Sequence, residues 1–317
     1  MAPEIPAERA PIGASSEDTA VLSGQRSCLD AKDTDRGDLF ASPFLWWGLA
    51  VAVALVTGAS RGIGRAAAVA LAGAGLDVAL AARTAVDGTA RLEPGSDVVV
   101  PGGLDSTARA VEAAGARALV VPMDLLDRAS VEAAVTRTEE ALGPVDVLVN
   151  NAVFQGAGTL APFVDLTEPQ LRDIFEGNVF APLALVRAVL PGMRDRGGGT
   201  IVNVVSGAGV QDPPARVGEG GWSLAYAMSK AALGRVAPLL HVEHGGEGVR
   251  VFSVDAGLTV TERMEAAGRA DLYRRHYQAA TPDEIGRVIA WLITDPAADE
   301  LRGTWVHAQA EARRRGL

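Results

Sequence analysis

From residue 51 onward, short aliphatic runs alternate with longer Ala-rich segments. The runs fall at 51–56, 78–82, 118–123, 145–149, 200–205 and 249–254, with a weak seventh near 304–307. They are continuous in Val, Ile, Leu and Ala rather than alternating with polar residues, the pattern of strands covered on both faces. Between them, segments 63–74, 105–115, 128–142, 167–190, 224–244 and 282–293 read as helices. Regular strand–helix alternation predicts a parallel sheet with helices on both faces. Right-handed crossovers then give a single Rossmann-like, doubly wound α/β domain of about seven strands. Residues 85–104, with Pro94, Gly95, Pro101, Gly102 and Gly103, read as a long loop after the second strand.

The first fifty residues break this pattern. Residues 1–38 are polar and rich in Ala, Pro, Ser and Asp, which predicts a disordered extension reaching to about residue 43, with the folded domain over 44–317. No basic start with an apolar core marks a secretory signal, so a cytoplasmic location is expected. Residues 39–60 carry no charge, but subtracting the first strand and its loop leaves only Pro43 to Ala50, too short to span a bilayer. Phe44, Leu45, Trp46 and Trp47 leave a membrane-surface contact by residues 44–50 as the alternative to an apolar leader.

Composition narrows the function. Of 317 residues, 48% are hydrophobic, enough for a sizeable core, and the net charge of −10 disfavours a nucleic-acid partner. A single cysteine excludes an intrachain disulfide framework and a Cys-cluster zinc site. The four histidines lack a ligand-like carboxylate pattern, so no metal is expected.

The first strand runs into Thr57-Gly58-Ala59-Ser60-Arg61-Gly62-Ile63-Gly64, and a helix follows at once. Glycines there allow a tight turn and close approach to a pyrophosphate, while the helix N-terminus offers free N–H groups to the anion. An ordinary strand-to-helix turn would also use small residues. The spacing Gly-x-x-x-Gly-x-Gly closely resembles the Thr-Gly-x-x-x-Gly-x-Gly signature of the short-chain dehydrogenase/reductase family, and the resemblance extends over about 51–310. It implies a dinucleotide site that includes Gly58, Ser60, Arg61, Gly62, Ile63 and Gly64.

In NAD binders a carboxylate at the carboxyl end of the second strand holds the ribose 2′-hydroxyl. Here the strand ends Ala81-Ala82-Arg83, while Asp77 lies at its opposite end, on the wrong edge of the sheet. Arg83 and Arg61 suit a 2′-phosphate, and the family resemblance implies the same: NADP(H) is preferred and NAD(H) remains open. By the same resemblance Asp124 contacts the adenine with Leu125 packed beside it, although an Asp at a strand end also caps helices. Asn150-Asn151-Ala152 resembles the family's Asn-Asn-Ala-Gly, with Val153 in the glycine's place; Asn151 and Ala152 would line the cofactor cleft.

Tyr226 and Lys230 stand at i and i+4, on one face of a helix. Alone the spacing means little; in family order with the glycine loop and a serine after an aliphatic strand, it marks a catalytic pair. A tyrosine normally titrates near ~10, and lowering it by about three units takes roughly 4 kcal/mol. An ammonium about 4 Å away, at an effective dielectric of ~20, supplies that order of energy. Lys230 is thus expected to lower the Tyr226 phenol, which would act as general acid in reduction and general base in oxidation. The resemblance implies that Lys230 also holds the nicotinamide ribose, that Ser206 bonds the substrate oxygen, and that Asn178 kinks its helix and holds a water linking Lys230 to solvent. Ser223 is a rival for the serine role. After the sixth strand the family's Pro-Gly is Ala256-Gly257, which costs that turn some rigidity; Gly257 and Thr261 still match, and Thr261 would bond the carboxamide.

Loops 153–166, 207–222 and 258–280 lie at the carboxyl edge. Val153, Phe154, Leu160, Phe163, Val210, Trp222, Leu258 and Met264 suggest a moderately apolar carbonyl or secondary alcohol, or simply loop packing. In the family the helices 167–190 and 224–244 pair between subunits, which implies a homodimer or homotetramer. A non-catalytic dinucleotide-binding regulator or scaffold on the same fold is the competing reading.

Overall fold

The computed structural model describes residues 51–93 and 95–317. The expected extension over 1–43 and the surface contact by 44–50 lie outside them.

The central sheet has seven parallel strands: β1 (Val53–Thr57), β2 (Asp77–Ala82), β3 (Ala118–Pro122), β4 (Val145–Asn150), β5 (Gly199–Val205), β6 (Val249–Asp255) and a last short one, Trp305–His307. Their spatial order is β3-β2-β1-β4-β5-β6 followed by the 305–307 strand. The order reverses between β1 and β4, and such switch points are where doubly wound sheets open a ligand crevice. β1, β2 and β5 are buried at every position, which is why their sequences run apolar without alternation.

Helices α1 (Gly62–Gly73), α2 (Leu104–Ala113) and α3 (Arg128–Ala141) follow the first three strands. One core layer sets α1 and the helix Pro282–Thr294 against the sheet, with Leu71, Leu104, Ile285, Ile289 and Phe252 fully buried. The opposite layer gathers Leu55, Leu148, Leu185, Met193 and Ile201.

Two expected helices are divided. The segment 167–190 is α4 (Glu168–Phe175), a π-helical turn at Glu176–Phe180, and α5 (Ala181–Asp195), which runs on through Pro191. Glu168–Asp195 is long and apolar enough to cross a membrane by length and composition, yet half of its apolar window is buried against the domain. The segment 224–244 is α6 (Leu224–Gly234) and α7 (Val236–His244). After β6 come β7 (Leu258–Thr259), α8 (Glu262–Ala266), α9 (Ala270–Arg274) and β8 (Ala279–Ala280), then α10 (Pro282–Thr294), β9 (Trp305–His307) and α11 (Ala308–Arg315).

The long loop after β2 is ordered by its own contacts. An antiparallel bridge joins Arg91 to Val99, and Asp87 Oδ1 accepts from Gly102 N–H at 2.8 Å. Asp77 is engaged by Arg117, whose backbone N–H and Nε donate to its two oxygens at 2.8 and 2.7 Å. That pairing sits at the amino end of β2, away from the crevice, as expected from its position in sequence.

Candidate active site

The glycine loop is locked by β4. Thr57 Oγ1 donates to Val149 O and accepts from the N–H groups of Asn151 and Ala152 at 3.0 Å each. Asn151 Nδ2 returns a bond to Thr57 O at 2.8 Å. Gly58 and Gly62 have φ of +68° and +54°, where side chains are strained. A Cβ on Gly64 would collide with Gly58 O and Asn151 Nδ2, so the third glycine permits the close helix–strand packing. No side chain caps the start of α1 from Arg61; instead Gly62 N–H donates to Glu262 Oε2 at 3.0 Å, from α8 across the groove.

The two arginines differ. Arg83 is exposed at the end of β2. Arg61 spends Nε on Pro101 O and Nη2 on Gly102 O, both at 2.7 Å. Burial lowers the Arg61 pKa, and Arg263 and Arg83 are among the neighbouring charges. Arg263, unmarked by any motif, thus joins Arg61 and Arg83 here, with the carboxylates of Glu262 and Asp87 beside them. Asp124 does not cap α3: Asp127 does, accepting from Ala129 and Ser130 N–H groups. Asp124 Oδ1 accepts from Leu126 N–H at 3.1 Å, and Leu125 is buried.

The four candidate catalytic residues come from three places: the turn after β5, α6 and the π-helical turn. Ser206 follows β5 and opens a short 3₁₀ turn at Gly207–Gly209. Tyr226 and Lys230 lie on α6 with Lys230 Nζ 5.9 Å from the Tyr226 ring centre. Lys230 is buried and donates to Val204 O at 2.9 Å. Asn178 sits in the π-helical turn, where its Oδ1 accepts from Phe154 N–H at 2.7 Å and its Nδ2 donates to Ser229 Oγ at 3.1 Å. Ser229 in turn donates to Tyr226 O, so an unremarkable residue of the Tyr-x-x-x-Lys stretch couples Asn178 to the tyrosine helix. Ser223 is the N-cap of α6: it accepts from Tyr226 N–H and donates to Thr159 O at 2.7 Å. Its hydroxyl is committed there; Ser206 Oγ accepts from Ala208 N–H at 3.3 Å at the head of its own turn.

The electrostatics depart from the expectation for the Tyr–Lys pair. Burial pushes the Tyr226 phenol above its ordinary value; the Ser206 hydroxyl pulls it back, while Asp255 and Tyr273 add to the rise. Lys230 does not lower it in this state, because burial acts on the lysine as well and brings it to about 8.

The Ala256-Gly257 turn is not loose. Gly257 has φ of +60°, and Gln309 Nε2 donates to Ala256 O at 3.2 Å and Leu258 O at 2.9 Å. Thr261 lies against Gly62, its Cγ2 3.0 Å from where a Cβ would stand. Among the expected substrate-loop residues, Trp222 stacks on Tyr277 at 6.1 Å, whereas Phe163 and Val210 face solvent at 71% and 63% exposure. Among the described residues no group of three or more His, Cys, Asp or Glu could hold a metal ion.

A sequence model of the short chain dehydrogenase family matches residues 52–271. The chain belongs to the short-chain dehydrogenase/reductase family. It is 30% identical over 251 residues to the ketoacyl reductase HetN of Nostoc sp., covering 77% of this chain and 76% of that protein. A short-chain dehydrogenase from Mycobacterium paratuberculosis bound to NAD superposes with a TM-score of 0.65 at 27% identity, over 82% of this chain and 96% of that one. A Beutenbergia cavernae structure assigned as an NAD(P)-dependent gluconate 5-dehydrogenase, with NADP at low occupancy, gives 0.67 at 29% identity, over 82% and 96%. As a short-chain dehydrogenase/reductase the chain is an oxidoreductase of an NAD(P)-binding family.

Proposed function

We propose that the protein is an NADP(H)-dependent oxidoreductase that interconverts a carbonyl and a secondary alcohol on a moderately apolar small molecule. The observation that carries this reading is the meeting of Ser206, Tyr226, Lys230 and the Asn178 network at the carboxyl edge of the sheet. The groove beside them fits a dinucleotide: a glycine turn with positive φ, a helix start capped by no side chain of its own and met only by Glu262 from across the groove, and Arg83 rather than an acid just after β2.

Gly58, Ser60, Gly62, Ile63, Gly64, Asn151 and Ala152 would line the pyrophosphate and ribose path, with Asp124 and Leu125 at the adenine and Gly257 and Thr261 at the nicotinamide. Arg83 would hold the 2′-phosphate; Arg61 adds charge, with two of its donors already bound to carbonyls. When bound, the dinucleotide supplies the hydride donor or acceptor. Tyr226 gives its proton to the substrate oxygen in reduction and takes it back in oxidation. Ser206 donates a hydrogen bond to the same oxygen and stabilises charge developing there. Lys230 would hold the ribose hydroxyls of the bound dinucleotide. A phenol raised by burial is protonated at neutrality, the form that carbonyl reduction uses. Trp222 contributes an apolar wall. The protein works in the cytoplasm, and the π-helical turn and α6 carry exposed Phe180, Leu224 and Met228 for pairing into a homodimer or homotetramer.

Deuteride transfer from 4-deuterated NADPH to a panel of apolar ketones tests the reading. Label should appear at the carbinol carbon with the wild type. Tyr226→Phe should lose 10²- to 10⁴-fold in turnover while still binding NADPH, about the usual contribution of a general acid. Absence of transfer with cofactor bound would favour the regulator or scaffold.

A further inference from the structure

One buried charge at the heart of the site is explained by none of the roles above. Asp255 ends β6 and is 6% exposed. Its Oδ1 accepts from Gly207 N–H and from Gly257 N–H, each at 2.9 Å. Its Oδ2 meets His307 Nδ1 at 3.2 Å. Gly207 directly follows Ser206, and Gly257 begins the turn that leads to Thr261. One carboxylate thus bridges the backbone behind the serine and the backbone of the turn beside the nicotinamide position, while β9 supplies the partner for its second oxygen.

A buried carboxylate destabilises a fold unless it is hydrogen-bonded and paired. A neutral amide could accept the same two N–H bonds, so the charge acts on its surroundings beyond those bonds. The groups facing this charge are Tyr226 and Lys230 from α6 and His307 from β9; Tyr273 of α9 also faces Tyr226. Asp255 favours the protonated form of both α6 residues.

We propose that Asp255, partnered by His307, is a positioning residue of the reaction: it holds the Ser206 turn and the Gly257 turn in register and sets its own charge beside Tyr226. This rests on the oxidoreductase reading. It also accounts for how a turn lacking proline stays placed from both sides, by Asp255 within and Gln309 outside.

The test uses the NADP-loaded full chain. Asp255→Asn keeps an oxygen for the two N–H groups and removes the charge; Asp255→Ala removes both. The Tyr226 phenol is titrated by ultraviolet difference against matched Tyr226→Phe proteins, a readout that needs no substrate. The midpoint should fall in Asp255→Asn, and the pH profile of alcohol oxidation should move to lower pH with it. With NADPH and the ketone panel, Asp255→Ala should lose roughly ten- to a hundredfold in kcat, as expected for a displaced reacting group, and Asp255→Asn should lose less. An unmoved Tyr226 midpoint in folded Asp255→Asn overturns the proposal. So does a folded Asp255→Ala that matches an active wild type. Should Asp255→Ala not fold, the asparagine variant decides alone. A wild type that reduces no ketone refutes the oxidoreductase reading separately, and the phenol titration still judges Asp255.

Discussion

Gln309, at the start of α11, clasps Ala256 across the turn that follows β6: its amide donates to the carbonyls on both sides of Gly257, at 3.2 and 2.9 Å. A side chain near the carboxyl terminus thereby does what a ring would do locally. Each such bond is worth about 0.5–1.5 kcal/mol net. Gln309→Ala should therefore lower unfolding free energy by about 1–2 kcal/mol and raise the KM for the cofactor. Adding Ala256→Pro should recover part of the loss, about 0.4–1 kcal/mol, by restricting the unfolded chain. Urea unfolding and cofactor titration of the two single variants and the double variant measure both; a double variant no better than Gln309→Ala would mean the turn does not accept proline.

Cofactor choice should depend on Arg83 far more than on Arg61. Arg83 is exposed and free of the carbonyl bonds that hold Arg61 to Pro101 and Gly102. Losing a hydrogen bond to a charged group costs about 1.5–3 kcal/mol, or roughly ten- to a hundredfold in Kd. Arg83→Asp should weaken NADP(H) by that factor and improve NAD(H). Arg61→Ala should instead lower thermal stability, because two carbonyls lose their donor, with a smaller change in selectivity. Isothermal titration with both dinucleotides and a melting curve separate the two residues; equal selectivity losses would show that Arg61 still reaches the phosphate.

The fold was legible because both core layers demand continuous aliphatic strands, and all seven runs became strands of one sheet. The break in the 167–190 helix was implied by the family resemblance, which put a kink at Asn178, inside the π-helical turn Glu176–Phe180; the break at Arg235 was not legible, since the apolar pattern runs on through it. Motif spacing and the family resemblance nominated Ser206, Tyr226, Lys230 and Asn178 as candidates, but they could not supply the environment. Lys230 was expected to lower the phenol; burial of both groups reverses the sign, and burial is a property of the packed chain. Asp255, His307, Gln309 and Arg263 carry no motif of their own, and contacts spanning about fifty to 170 residues of sequence join them to the site.

The buried Lys230 makes a signed prediction for stability against pH. Its folded value of about 8 lies below its ordinary 10.5, so between those pH values the unfolded chain binds more protons than the folded one. Stability from this group therefore rises with pH across that window, by roughly 3 kcal/mol in all. Lys230→Met removes the window and leaves the other titrating groups in place. The difference in urea-unfolding free energy between wild type and Lys230→Met, followed from pH 7 to 10.5, should shift steadily in favour of the wild type. A flat difference would mean that Lys230 is solvated in solution.

Adjacent residues of α8 reach the groove in opposite senses, and their variants should differ in sign. Arg263 donates to Leu92 O of the long loop at 2.8 Å and to Gln155 O at 3.4 Å, tying the loop after β2 to the segment after β4. Glu262 instead presents a carboxylate to Gly62 N–H at the start of α1, where a helix favours any anion. A dinucleotide pyrophosphate seeks that same end and is repelled by that carboxylate. Arg263→Ala should free the long loop and speed NADPH release several-fold, seen by stopped-flow fluorescence, because two inter-loop bonds are lost. Glu262→Gln keeps the geometry without the charge and should tighten NADP(H), with the gain shrinking as salt screens the repulsion. If both variants weaken binding, Glu262 supports the bound cofactor rather than competing with it, and α8 acts as one clasp over the groove.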